Sequence, residues 1–403
     1  MKKFLIIFLF LISFFSFDVK ALDYPDVNSK YVEVYDLTDN KILYEKNSNN
    51  RVSIASLTKI ATTITAIESI SDLDEKVKIT SKILNIVSSD ASVAGLKNGD
   101  IVTYRDLLYA SMLPSGADAT NSIAILSSGD ISSFVKKMNK LAQKIGLNNT
   151  NFVNVTGLDD NNHYSTADDC RKLLDYALKN PLFREIYTTR EYTLTNGLVV
   201  KSTLFKYSNS SVDISRILGS KTGYTGNAGY CLSSLSNIHN HDLIIIVLYA
   251  QHKGLSYFNI NDTVKIIDFI NNNYNNQILV KKGELIKTIP VEFSKIRSYN
   301  IHSSKEITKF LPVDYNKESF KIKYSGLKKL SFYNKVGTKI GSMKYYYEDK
   351  LIFTQQIKLE KKIKIDLLKI IKKYYYVFIF SFVFLLVLLK MFFSVIKKFK
   401  NKR

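Results

Sequence analysis

Only two cysteines, Cys170 and Cys231, occur in 403 residues. They are too few for a disulfide framework, and the reading is a pair of buried thiols. The five histidines, His163, His239, His241, His252 and His302, form no HExxH pattern, and no CxxC exists. Metal catalysis therefore has no ligand set to stand on, and neither a metal nor a cofactor is expected. Internal repeats and low-complexity tracts are also missing, which leaves an ordinary globular chain long enough for two folded units.

Acidic residues are scarce, 36 against 57 Lys and Arg, for a net charge of +21. The surplus is not spread evenly. Segment 358–403 carries +11 and residues 1–21 carry +2, leaving +8 on everything between. A charge excess gathered beside an apolar run suits anionic lipid or an anionic cell-wall polymer better than a duplex, so no nucleic-acid partner is expected.

Long apolar runs are confined to the two ends. Met1-Lys2-Lys3 is followed by an apolar stretch from Phe4 to Phe17 and by Val19-Lys20-Ala21, the layout of a secretory signal peptide over residues 1–21. At the other end, residues 374–396 are apolar except for Lys390 and suffice to cross a bilayer. Basic clusters flank this span on both sides, so charge alone does not orient it. The signal peptide does: the body is expected outside the cell, held to the membrane, with a basic tail at 397–403 inside.

Between the ends, "KYVEVYDLTDNKILYEKN" reads as a hairpin turning at Asp39-Asn40. Residues 72–180 are mostly helical, and strands return at "LGSKTGYT", "GYCLSSLS" and "DLIIIVLYA" before a last helix, "NINDTVKIIDFINNNY". This gives an α/β unit over 22–280, an antiparallel sheet split between both ends of the segment around a helical insert. Residues 281–358 change to short alternating runs, the pattern of a small all-β domain. Segment 359–373, "LEKKIKIDLLKIIKK", is a basic juxtamembrane stretch, read as an amphipathic helix on the membrane or as a stalk.

Within "RVSIASLTKIATTITAIESI", Ser56 and Lys59 stand three apart on one predicted helix face, within reach of each other. A lysine desolvated by neighbours such as Ile60 and Ile64 loses preference for its charge and can act as a base toward serine. The Ser-x-x-Lys pattern recurs at Ser133, Ser325 and Ser394, so the pattern alone carries little. What distinguishes Ser56 is company. Ser115 lies in a tight Pro-Ser-Gly break in "MLPSGADAT", and "GSKTGYTGNAGYCL" holds the sole Lys-Thr-Gly, at 221–223, on a predicted strand.

With these three elements in this order the sequence resembles the low-molecular-mass penicillin-binding proteins, the D-alanyl-D-alanine carboxypeptidase family of serine peptidases. The blocks "IASLTKIATTITAI", "LPSGADA", "NFVNVTGLDDNNHYSTADD" and "SKTGYTGNAGYCL" carry the likeness over about 30–275, and "KVGTKIGSMKYYYEDKLI" is similar to the family's second domain. The resemblance implies a β-lactamase/DD-peptidase-like fold with helices on both faces of the sheet. It implies Ser56 as nucleophile, Lys59 as proton acceptor and Ser115 as proton bridge. Lys221 and Thr222 would meet the terminal carboxylate, Gly223 would leave room for substrate, and the N–H groups of Ser56 and Tyr224 would form an oxyanion hole. The substrate would be a peptidoglycan stem ending in D-Ala-D-Ala, with β-lactams as covalent inhibitors.

One position departs from the pattern. The second motif of the family usually ends in asparagine, where this chain has Ala117; Asn121, one helical turn on, is the candidate to take its place. A class A β-lactamase would need a deacylating glutamate in its middle loop, and residues 151–169 contain none. The alternatives that keep the same fold are a catalytically weak penicillin-binding sensor or scaffold, which Ala117 favours, and a DD-endopeptidase.

Overall fold

The computed structural model describes residues 24–207, 212–253 and 256–400. The expected signal peptide lies outside the described residues. The chain divides after Asn275 into two compact units.

In the first unit, strands β1 (Tyr31–Asp36) and β2 (Lys41–Lys46) form the expected hairpin, with Asn40 at positive φ in its turn. The insert then supplies α1 (Thr58–Ser69), α2 (Tyr104–Met112), α3 (Ala117–Ser128), α4 (Ile131–Ile145), α5 (Ala167–Leu178) and α6 (Pro181–Thr188). Side chains fix where several of these start. Thr103 and Asp106 make a reciprocal capping box on α2, and Asp130 and Thr166 accept backbone N–H bonds at the heads of α4 and α5. The chain returns to the sheet as β3 (Ile217–Thr225), β4 (Gly229–Ile238) and β5 (His241–Ala250), and α7 (Phe258–Asn273) closes the unit.

The five strands form one antiparallel sheet in the order β2-β1-β5-β4-β3. The first strand thus lies beside the last, with Val34 opposite Ile245. The run "LIIIVL" in β5 is buried on both faces. Ile244, Ile246 and Leu248 join the core that the insert builds, while Leu243, Ile245 and Val247 alternate to the other face, and α7 lies against β4 and β5. Helices cover the sheet from both sides, as expected.

The second unit holds β6 (Tyr274–Val280), β7 (Leu285–Pro290), β8 (Ser298–His302), β9 (Ile307–Pro312), β10 (Phe320–Gly326), β11 (Lys339–Tyr347) and β12 (Lys350–Lys358). Its sheets pair β6 with β9, β7 with β8, and β10-β11-β12 in that order, around a core that includes Ile289, Leu330, Met343 and Tyr345. Because β6 runs directly out of α7, this β unit starts before residue 281. Beyond it, residues 359–366 are not helical, α8 (Leu367–Lys373) is short, and α9 (Tyr375–Lys400) runs on past residue 396. Its segment Tyr375–Ser394 has a mean hydropathy of 2.5 and is long and apolar enough to cross a membrane.

Candidate active site

Ser56 sits in a short turn of 3-10 helix, Ala55–Leu57, that leads into α1. Ala55 holds a positive φ of 48°, an uncommon conformation for a residue with a Cβ, immediately before the nucleophile candidate. One turn on, Lys59 is fully buried, and its Nζ lies 3.0 Å from Ser56 Oγ. The same Nζ donates to the Thr156 carbonyl at 2.7 Å. Burial pushes the Lys59 pKa down to about 7, partly opposed by the Asp118 carboxylate. Near neutral pH a large share of Lys59 is therefore an uncharged amine able to accept a proton.

The Thr156 carbonyl is held in place by its own turn. Asn154 Oδ1 accepts from the N–H groups of Thr156 and Gly157 at 3.1 and 2.7 Å, and Asn154 Nδ2 donates to the Leu158 carbonyl. Gly157 has φ +85°, and a Cβ there would come within 1.9 Å of the Ala55 carbonyl. Only glycine lets this turn close on the Ser56 loop. Neutral His163 anchors the same region: its Nδ1 accepts from Val153 N, and its Nε2 lies 2.8 Å from Thr58 Oγ1. Burial holds the His163 pKa down at about 4.

Ser115 occupies the break between α2 and α3 at φ +65°, buried, with a hydroxyl that has no hydrogen-bond partner among the described residues. Asp118, three residues on, ties α3 to the 94–96 segment, its carboxylate accepting from the N–H groups of Ala94, Gly95 and Leu96. On β3, Thr222 Oγ1 lies 2.5 Å from Thr203 Oγ1. Gly223 packs against the Ser56 backbone: a Cβ there would lie 2.9 Å from Ser56 N and 3.0 Å from Ala55 Cβ.

Lys221 is buried on the same strand, with Nζ donating to the Thr222 carbonyl at 2.7 Å. Desolvation and then the nearby Lys59 charge push its pKa well below the ordinary lysine range. Like Lys59, it is buried rather than exposed at the cleft surface.

The cleft itself has a volume of about 200 Å³, and Ser56, Ser115, Thr222, Gly223 and Tyr224 line it. Sequence reasoning did not single out Thr203, Tyr257 or Asn259, which line it too. Ala117 is buried, its N–H donating to the Ser92 carbonyl, and Asn121 is not among the lining residues. Asn259, in the first turn of α7, is 3% exposed; its Nδ2 donates to the Cys231 carbonyl and its Oδ1 has no partner among the described residues. No pattern in the sequence marks Asn259, because its contact with Cys231 on β4 forms only when α7 packs against the sheet.

Asp36, Asp39 and His241 bring ligand-type atoms within 4.8 Å of one another, but Asp36 already accepts from the backbone of Thr38 and Asp39 in the hairpin turn. The trio is not part of the cleft.

Comparison with known proteins gives two family matches: D-alanyl-D-alanine carboxypeptidase over residues 18–252, and the C-terminal domain of penicillin-binding protein 5 over residues 274–365. D-alanyl-D-alanine carboxypeptidase DacF of Bacillus subtilis (strain 168) is 32% identical over 66% of this chain and 68% of its own length. D-alanyl-D-alanine endopeptidase of Escherichia coli (strain K12) is 31% identical over 57% of this chain and 74% of its own. Among solved structures, penicillin binding protein 5 from Haemophilus influenzae superposes with a TM-score of 0.61 at 24% identity, covering 85% of this chain and 99% of its own, a likeness of fold. The Streptomyces K15 DD-transpeptidase superposes with a TM-score of 0.55 at 30% identity, covering 61% of this chain and 98% of its own.

Proposed function

Because this chain belongs to the D-alanyl-D-alanine carboxypeptidase family and is a serine peptidase, we propose that it hydrolyses the terminal D-Ala-D-Ala bond of peptidoglycan stems with Ser56 as nucleophile. The observation that carries this reading is the buried Lys59 amine, 3.0 Å from Ser56 Oγ and near pKa 7. Ser56 Oγ attacks the penultimate carbonyl as its proton passes to Lys59 Nζ. The backbone N–H groups of Ser56 and Tyr224 receive the oxyanion, each donor worth roughly 2.7 to 4 kcal/mol. Collapse breaks the amide, and the proton returns from Lys59 through the unpartnered Ser115 hydroxyl to the departing D-alanine amine. Water then attacks the ester and gives its proton to Lys59; collapse breaks the bond to Oγ, frees the shortened stem, and Lys59 returns the proton to Ser56 Oγ.

The free carboxylate of the last D-alanine sits against the Thr222 and Thr203 hydroxyls. Buried Lys221 adds its charge from beside this position, and the arriving anion offsets the desolvation and the Lys59 repulsion that hold its pKa down. Asn259 offers its free Oδ1 to an amide N–H of the stem, the polar contact that Ala117 cannot make. A β-lactam follows the same path to a stable ester. The apolar Tyr375–Ser394 helix tethers the exported enzyme to the membrane.

The test is D-alanine release from a pentapeptide ending in D-Ala-D-Ala by the full chain in detergent, with Ser56→Ala alongside. Release abolished by the substitution is expected. Cleavage of cross-linked stem dimers without release of the terminal residue would move the assignment to endopeptidase. A stable Ser56 penicillin adduct without either turnover would make it a sensor.

A further inference from the structure

The β unit is tied to the start of the apolar helix through one corner. The turn after β7 and the segment leading to α8 are joined by bonds from Asp366 N to the Phe293 carbonyl at 2.7 Å and from Lys369 Nζ to the Ser294 carbonyl at 2.6 Å. Glu292 Oε1 accepts from Lys329 at 3.1 Å and from Lys373 at 3.4 Å, and Glu292 N donates to the Leu330 carbonyl. Three chain segments therefore meet as one body. At its centre Phe293 is held at φ +57°, a costly conformation for a bulky residue. That backbone places its ring against Tyr374 (5.9 Å between centroids), against Phe332 (6.5 Å), and under Lys373 (5.0 Å).

Tyr374 immediately precedes the apolar helix, and Tyr375 and Tyr376 follow it. Tyrosines and lysines at the end of a span mark the headgroup level of a bilayer. Any group in ring contact with Tyr374 lies near that level, and the 331–336 loop reaches it through Phe332. Its neighbours are out of place on a surface facing only water: Tyr333 is 75% exposed, Val336 53% and Ile296 48%. Lys295, Arg297 and Lys335 stand among them, the mixture of apolar and cationic groups that anionic lipid headgroups attract.

We propose that the 293–297 turn and the 331–336 loop form a second membrane contact, seated in the headgroup layer of an anionic bilayer. This rests on the reading that Tyr375–Ser394 spans that bilayer. The β unit then stands directly on the membrane rather than on a stalk, and the 293–297 turn limits its tilt.

The chain contains no tryptophan, so single indole reporters can be introduced. The full chain is reconstituted in phosphatidylglycerol-containing vesicles as Tyr333→Trp (the loop reporter), as Leu351→Trp (the strand reporter) and as Phe384→Trp (the span reporter). Leu351 is 54% exposed at the far end of β12, roughly 25 Å of strand away from the corner, and Phe384 lies at the middle of the span. With nitroxide at the headgroup, the loop reporter is expected to lose about twofold in fluorescence and the strand reporter to stay unquenched, while the span reporter responds only to a quencher deep in the chains. A span reporter quenched in depth, with the loop reporter as silent as the strand reporter, would overturn the docking and leave the span standing. A silent span reporter would remove the span and the proposal with it. A loop reporter that ignores lipid quencher but shifts on adding a polyglycerol-phosphate polymer would make this corner a wall-polymer site instead, and the docking would again be wrong.

Discussion

Lys59 Nζ donates to the carbonyl of Thr156, 97 residues away in sequence, at 2.7 Å while lying 3.0 Å from Ser56 Oγ. The carbonyl holds the amine within hydrogen-bond reach of the serine. It also offsets part of the cost of burying an amine inside a helical core. Position and basicity of Lys59 thus depend on a turn outside the helix that carries it.

The pKa of about 7 for Lys59 sets a kinetic expectation. The active form is the neutral amine, so acylation of Ser56 by a chromogenic β-lactam should rise about tenfold per pH unit below the pKa and level off above it. Lys59→Arg, which stays charged throughout, should lose on the order of 1,000-fold or more in acylation rate. A flat profile between about pH 5.5 and 8.5 would exclude Lys59 as the base.

The same shift costs stability. An unfolded lysine holds its proton up to about pH 10.4, whereas folded Lys59 releases it near 7, so the penalty is complete below pH 7 and fades as pH rises through that window. Lys59→Met should therefore be inactive yet more stable than the parent at about pH 6, by an amount on the order of 4 kcal/mol less the lost hydrogen bond. Denaturant melts at about pH 6 and pH 10 decide it: the gap between variant and parent should shrink at the higher pH.

Asn154 acts through Thr156, by bonding the two N–H groups of the turn. Asn154→Ala should lower kcat by about 10- to 100-fold with KM little changed, and should displace the apparent pKa of the acylation profile. Asn154→Asp keeps the acceptor and should recover part of the rate. Loss of stability with an unaltered pH profile in the surviving enzyme would reduce Asn154 to a structural residue.

At Gly223 a methyl group would press on Ser56 N at 2.9 Å. Gly223→Ala should cost about 100-fold or more in kcat/KM, the size of one oxyanion donor, while melting shifts by a few degrees. Full activity would mean that β3 and the nucleophile's loop separate freely.

His163, neutral and buried between Thr58 and Val153, titrates in the folded chain near 4 and in the unfolded chain near 6.5. The unfolded state binds the extra proton first, so this part of the stability, about 3 kcal/mol, is lost as pH falls from about 6.5 through 4. His163→Gln should flatten that limb of the stability curve, which urea melts from about pH 7 to pH 4 would reveal.

The local features were legible in the chain itself. The hairpin at Asp39-Asn40, the helical insert, the buried strand "LIIIVL" and the switch to short alternating runs are all written in spacing and turn residues that act over a few positions. So was the Ser56 to Lys59 pair, since three residues along a helix is a local distance. The tertiary structure decided what depends on segments far apart in sequence. It set β1 beside β5 and brought the Thr156 carbonyl to Lys59. It buried Lys221 close enough to Lys59 for their charges to repel, and it turned Asn259 rather than Asn121 toward the cleft. No local pattern encodes these contacts, because they follow from how the faces of the sheet and helices pack, and the depressed lysine pKa values follow from the water that this packing excludes.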